Sequence, residues 1–228
     1  MLERVLDARN DFIRDVFAVC GSLFRGQRGL GFGGVTLETL ERGQSFAADR
    51  FGATYAFLRA GTLRIEALCP EGASDVIGFV HAGEPIVISH ADAPVIATAL
   101  ETSKVCRLSV PAVLGRDDRS GVVLSTYCAA ALQQAVDDQQ RLGRFRQGDA
   151  VRRLGLFLDD LSQRTGSRQV TLTMSRSDIA DYLAIRPESV SRALATLEDE
   201  GVIRRDSVRA IRLLDLARTP EQRRAASL

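Results

Sequence analysis

The stretch Met174–Arg192, MSRSDIADYLAIRPESVSR, leaves this chain little choice of local structure. It spells two short helices joined by a tight turn. Ser175 stands where an N-cap is wanted, and Asp178 three residues later places a carboxylate in the first turn. Ile179, Leu183 and Ile185 supply the inner faces of the pair, and small Ala184 is expected to let them approach. Pro187 opens the second helix in its first turn, where a missing N–H costs nothing. Val190, Leu194 and Leu197 then form that helix's buried stripe at spacings of four and three. Glu188, Ser191 and Arg192 lie off the stripe, on the N-terminal half that a recognition helix points into a DNA major groove.

Those three side chains suit base edges. Arginine donates two parallel hydrogen bonds to guanine, a carboxylate accepts from the cytosine amino group, and serine serves several bases. Leu197–Ile203 closes the helix on Gly201. The segment Val202–Leu214 reads as a β-hairpin turning at Asp206-Ser207. Helix–turn–helix plus hairpin is a winged helix. Arg204, Arg205, Arg209 and Arg212 on the hairpin are placed to meet phosphates, contacts that fix register rather than sequence. Ser175, Arg176, Arg186 and Ser189 complete the expected DNA-binding set. The segment resembles the DNA-binding domain of the CRP/FNR family of bacterial regulators, closest to the FNR and FixK branches, whose recognition helix carries E-x-x-S-R.

The rest of the chain is consistent with that resemblance. With 228 residues there is room for two domains, and 45% hydrophobic against 26% charged residues describes a globular protein. The net charge of +1 announces no nucleic-acid partner globally, but a helix–turn–helix needs only local positive potential. Cys20, Cys69, Cys106 and Cys128 are far apart and form no C-x-x-C, so neither a metal site nor a disulfide framework is expected. No signal peptide and no membrane-length apolar run is present, so the expected location is cytoplasmic and no membrane partner is expected. No G-x-S-x-G, phosphate loop or H-E-x-x-H occurs, so no enzyme is indicated.

In chain order, residues 1–19 carry a helical pattern, and a glycine-rich stretch follows at Gly26–Gly34. From about Val35 to Leu108, short apolar runs alternate with glycine turns. Expected strands are Tyr55–Leu58, Thr62–Ile65, Val76–Val80, Val95–Ala99 and Val105–Leu108, with turns at Arg42-Gly43, Ala60-Gly61, Glu71-Gly72 and Ala82-Gly83. Such spacing indicates an antiparallel double sheet or jelly roll. Ser120 is the expected cap of a long helix running to about Arg146. Its Leu124, Cys128, Ala131, Ala135, Asp138, Leu142 and Phe145 recur at spacings of four and three, as in a two-stranded coiled-coil seam. A helix buried against its own sheet would show a similar stripe. Gly148 then breaks the chain, Asp149 caps the next helix, and Leu154, Phe157, Leu158 and Leu161 pack it.

The expected fold is therefore α+β. It comprises an N-terminal antiparallel β-roll of the jelly-roll, cyclic-nucleotide-binding-like kind with an N-terminal helix (1–115), and a long dimerisation helix (116–147). A C-terminal winged helix–turn–helix (148–218) and a flexible tail (219–228) complete it. The β-roll likewise resembles the sensory half of the family, through Gly78-Phe79, Ala82-Gly83-Glu84 and Ala99–Cys106. That likeness implies a homodimer packed along the long helix, with Asp138 matching an acidic seam residue of the FNR branch. It implies RNA polymerase as a second partner, contacted through the Cys69–Asp75 hairpin at Glu71, Ser74 and Asp75. It also implies a TTGAT-type inverted repeat in double-stranded DNA, and activation of low-oxygen or denitrification genes.

The resemblance also guides the choice of effector. The positions that hold a cyclic nucleotide elsewhere in the family are Val87-Ile88 and Ala93-Pro94 here, and apolar groups cannot neutralise a buried phosphate. Of the four thiolates that hold an iron–sulfur cluster, only Cys106 and Cys20 have counterparts, too few for a cluster. His81 and His90, the only histidines, read as exposed residues, one beside a turn and one in a loop. No cofactor is expected, which leaves a FixK-like regulator. The rival reading is a β-roll regulator that senses haem or another small ligand.

Overall fold

The computed structural model describes residues 35–47, 53–69, 72–89, 94–108 and 118–214. The expected helix over 1–19, Cys20, the Gly26–Gly34 stretch, Glu71, His90, Ala93 and the tail 219–228 lie outside them, as does the side chain of Leu124. The chain divides into two compact units, Met1–Asp138 and Gln139–Leu228.

Among the described residues the first unit has eight antiparallel strands: β1 (Val35–Leu40), β2 (Ser45–Ala47), β3 (Ala53–Ala60), β4 (Thr62–Leu68), β5 (Ser74–His81), β6 (Pro85–Ser89), β7 (Val95–Ala99) and β8 (Ser103–Leu108). They form two four-stranded sheets ordered β1-β8-β3-β6 and β2-β7-β4-β5. All five expected strands lie inside these elements. Strand alternation sends Ala56 and Leu58 of β3 into a core shared with Leu63, Ile86, Ile88, Ala97 and Val105. The other face of β3 is covered too. Phe57 and Cys106 pack on Tyr127 and Ala130 of helix α1 (Asp118–Phe145), and Tyr127 donates its hydroxyl to the Ile86 carbonyl at 2.7 Å. Burial on both faces explains why β3 reads as a continuous apolar run. Burial also raises the Tyr127 phenol well above its ordinary value, so it stays a neutral donor. At the β3–β4 turn, Gly61 has φ +95°, and a Cβ there would lie 2.2 Å from the Ser103 hydroxyl, so no larger residue fits.

Three expectations in this unit are corrected. Helix α1 begins at Asp118, two residues before Ser120, so Ser120 lies in its first turn and is not the cap. His81, read as an exposed residue beside a turn, is the buried last residue of β5, and its backbone N–H donates to the Glu84 carboxylate at 2.8 Å. Strands β1, β2 and β6 add to the strands expected from the sequence.

The second unit contains the end of α1, helix α2 (Ala150–Thr165), strand β9 (Gln169–Thr171), helices α3 (Arg176–Tyr182) and α4 (Pro187–Asp199), and strands β10 (Ile203–Arg205) and β11 (Ala210–Leu213). Asp149 caps α2 by accepting from the Arg152 N–H, as its sequence position suggests. Leu154, Phe157, Leu158 and Leu161 are buried. The hairpin is flanked by β9 in a sheet ordered β10-β11-β9, a third strand not read from the sequence.

Candidate nucleic-acid interface

Local rules account for the positions of both helices of the motif. Ser175 accepts from the Asp178 N–H at 3.0 Å, and the Asp178 carboxylate accepts in return from the Ser175 N–H at 2.8 Å. This reciprocal capping box satisfies two donors that a helix start leaves open. Ile179 and Leu183 are buried, as expected. Ala184 is not a spacer between packed helices. It is exposed in the turn with φ +51°, the left-handed conformation that lets the chain reverse between α3 and α4. Pro187 opens α4, and Val190, Ala193, Leu194 and Leu197 bury one side of it.

The opposite side of α4 presents Glu188, Ser191 and Arg192, all exposed. None of the three side chains makes a hydrogen bond or ion pair among the described residues. Glu188 and Arg192 stand one turn apart at the spacing that favours an ion pair, yet they are left open. Arg186 precedes them, exposed and with no capping side-chain hydrogen bond, and Ser189 is half-buried.

The surrounding arginines behave differently. Arg205 of β10 donates its backbone N–H to Glu198 at 3.0 Å, and its guanidinium pairs with the same carboxylate. Arg204 and Arg212 close on Asp206 from two sides, at 2.9 and 3.1 Å. The half-buried Arg176 reaches across to the Val208 carbonyl at 3.0 Å, fastening the start of α3 to the tip of the hairpin. Burial, reinforced by the charge of Arg205, holds Arg176 below the ordinary arginine value. The wing is thus braced by carboxylates, with exposed Arg209 near its tip. Sequence reading gave the arginines but missed Glu198 and Asp206, whose role is visible only once the hairpin is closed.

The braces have a pH signature. Hydrogen bonds from Arg205 hold Glu198 below the ordinary glutamate value, and those from Arg204, then Arg212, do the same for Asp206. A depressed folded value means the brace is complete above the ordinary carboxylate range and is lost as pH falls through the folded value. The amide resonance of Arg205 should therefore titrate with a midpoint below that of an ordinary glutamate. A midpoint at or above that value would mean the brace does not form in solution.

Residues 152–218 match the Crp-like helix-turn-helix domain. The chain is 30% identical over 177 residues to the fumarate and nitrate reduction regulatory protein of Yersinia pestis, covering 72% of this chain and 69% of that one. It is 30% identical over 190 residues to the transcriptional activator protein FnrA of Stutzerimonas stutzeri, covering 77% and 75%. The chain belongs to the CRP/FNR family of transcription regulators. Its fold agrees: FixK2 of Bradyrhizobium japonicum superposes with a TM-score of 0.65 at 21% identity, over 85% of this chain and 96% of that one. A CRP-family regulator of Thermus thermophilus gives 0.60 at 22% identity, over 84% and 97%.

The helix–turn–helix of this CRP/FNR regulator is its DNA-binding domain, and its relatives are regulators rather than enzymes. Among the described residues, no cluster of three or more His, Cys, Asp or Glu side chains could hold a metal ion, and no helix is long and apolar enough to cross a membrane. In the Cys69–Asp75 hairpin, Ser74 and Asp75 are exposed. The Ser74 hydroxyl donates to Glu66 at 3.1 Å, and Asp75 accepts from the Cys69 thiol at 3.6 Å. Partial burial, with the Asp75 charge, raises that thiol, which makes it a poor nucleophile.

Helix α1 departs in part from the expected seam. Phe145 turns inward, its ring packed edge-on against Phe157 and Tyr182 at 6.2 and 5.8 Å, and Ala131 packs partly on the Phe57–Tyr127 cluster. The open face instead carries Cys128, Leu132, Ala135, Val136 and Leu142, with Leu132 69% exposed. Leu132 and Val136 were not expected there. An amphipathic period alone cannot tell which side of a helix its own domain takes.

Proposed function

We propose that this regulator binds as a homodimer to a TTGA(T/C)-N4-(A/G)TCAA inverted repeat and activates transcription from it by recruiting RNA polymerase, in the manner of a FixK-like protein. The genes would be those of low-oxygen respiration or denitrification. The observation that carries the reading is the contrast at α4. Glu188, Ser191 and Arg192 are held ready with no partner among the described residues, while Arg204, Arg205 and Arg212 of the wing are engaged. Arg192 would take the guanine, Glu188 its paired cytosine or a neighbouring amino group, and Ser191 the outer thymine. Likeness to a fumarate and nitrate reduction regulator and to the FixK2 fold supports the branch. Arg186 and Arg209 are available for phosphates, and Ser74 and Asp75, with Glu71, for polymerase. Ile88 is packed in the apolar β-roll core, which favours a regulator that works without a bound effector. In vitro selection of DNA bound by the full chain tests the assignment. It should return the TTGAT palindrome, and an unrelated consensus would sink it.

The partner copy would cover the open face of α1. Asp138 stands at the flank of that face, exposed and accepting from the Gln134 amide at 3.1 Å. In a parallel pair of helices its own copy lies across the seam, and like charges there repel. Asp138→Ala should tighten self-association by up to about fivefold, the range of an exposed charge pair. Sedimentation that showed unchanged or weaker association would count against this register.

A further inference from the structure

The tip of the wing satisfies most of its own backbone. The Asp206 and Ser207 N–H groups both donate to the Ala210 carbonyl, at 2.9 and 3.2 Å. The Ser207 hydroxyl accepts from the Arg209 and Ala210 N–H groups at 3.3 and 2.9 Å. The Val208 carbonyl accepts from Arg176 at 3.0 Å, and the Arg209 carbonyl from the Leu172 N–H at 2.8 Å. The last two bonds tie the turn to the segment that leads into α3. What the tip presents outward is therefore two side chains. Arg209 is exposed, with no hydrogen bond or ion pair among the described residues. Val208 is 82% exposed, more than any other large apolar side chain among them. Turns are ordinarily built from Gly, Pro, Asn, Asp or Ser, and valine gains no packing here. A single exposed apolar residue is common on protein surfaces. Val208 differs in having a fixed backbone beneath it and an unpaired cation beside it.

We propose that Val208 is a specificity-determining residue that enters the minor groove flanking each half-site and selects A·T pairs there. The inference rests on the reading of α4 as the helix in the major groove. Glu198 in the last turn of α4 holds Arg205 of β10, so the hairpin travels with the recognition helix. A side chain that neither donates nor accepts reads DNA through shape and apolar contact alone. Two effects then act in the same direction. A·T tracts narrow the minor groove, so the sugar walls close on the valine methyls. A G·C pair instead places the guanine 2-amino group on the groove floor, where valine would strip its water and offer no acceptor. Arg209 beside it holds the tip to a phosphate. The fixed turn spares the entropy of ordering the tip on binding.

The test is binding of the full chain to DNA sites that differ only in the few base pairs outside each half-site, the half-site being whichever consensus selection returns. The wild type should bind A·T flanks about fivefold or more tightly than G·C flanks, the lower end of the cost of one mismatched pair. Inosine·cytosine flanks, which lack only the 2-amino group, should restore most of that affinity. Val208→Ser suits a turn and removes both methyls. It should bring A·T and G·C flanks within about twofold of each other, whereas Val208→Ile should keep the preference. An equal loss on both flanks would mean a contact that carries no sequence. An unchanged preference in Val208→Ser would mean that the flank is read elsewhere. Either result overturns the inference, as does a wild type indifferent to its flanks. Unchanged binding with weaker transcription by added RNA polymerase would make the tip a protein contact, and would overturn it too. A consensus other than TTGAT with a flank preference that depends on Val208 would sink the half-site reading and leave this inference standing. TTGAT with indifferent flanks would do the reverse.

Discussion

Asp160→Ala should cost the DNA-binding unit about 3–5 kcal/mol, the range for removing one partner from a buried ion pair. Asp160 is buried, and its carboxylate lies between Arg141 at 2.8 Å and Arg164 at 3.5 Å, both guanidiniums themselves almost fully enclosed. Its loss leaves two cations facing one another without the anion between them. The converse substitution, Arg141→Met, should cost clearly less. Asp160 would keep Arg164, and methionine replaces much of the buried stem. Denaturant melts followed by far-UV circular dichroism, the chain having no tryptophan to report, give both values. Equal costs, or a larger cost for Arg141→Met, would mean that Asp160 does not serve two arginines at once.

That cluster was not legible in the sequence, and the reason is physical. Arg141, Asp160 and Arg164 come from two helices, and only their docking shows that the charges are buried together. Glu198 and Asp206 were missed on the same ground, since each acts on arginines that the hairpin brings to it. What could be read was local or periodic. Ser175 with Asp178, Pro187 and Asp149 are helix starts whose chemistry lies within four residues, and all three stand where expected. The turns at Gly43, Gly61, Gly72 and Gly83 are glycines at positive φ between apolar runs, which made the β-roll readable. Strands β2 and β9, three residues each, are too short to show a period, and β6 opens on Pro85, a residue that argues against a strand. The α1 stripe was seen, but its orientation was split between two faces: Phe145 belongs to the core of its own unit and Leu132 to the open side.

Arg192→Ala should weaken binding to the proposed TTGAT palindrome by about 1–3 kcal/mol per half-site, up to a hundredfold or more, and should relax the choice of base at the guanine. Arg192 lies on the exposed side of α4, in its second turn, and nothing among the described residues competes for its donors. Its removal therefore leaves the helix intact, since the stripe of Val190, Leu194 and Leu197 is untouched. Arg209→Ala provides the contrast. A guanidinium near the wing tip that meets phosphates should lower affinity by a similar factor on every sequence and reduce the salt dependence, without altering base preference. Competition binding against all single-base variants of the half-site separates the two. If Arg192→Ala lowered affinity uniformly and kept the preference at the guanine, Arg192 would be a backbone contact, and base reading would fall to Glu188 and Ser191. If it left affinity unchanged, α4 would not be the helix that enters the groove.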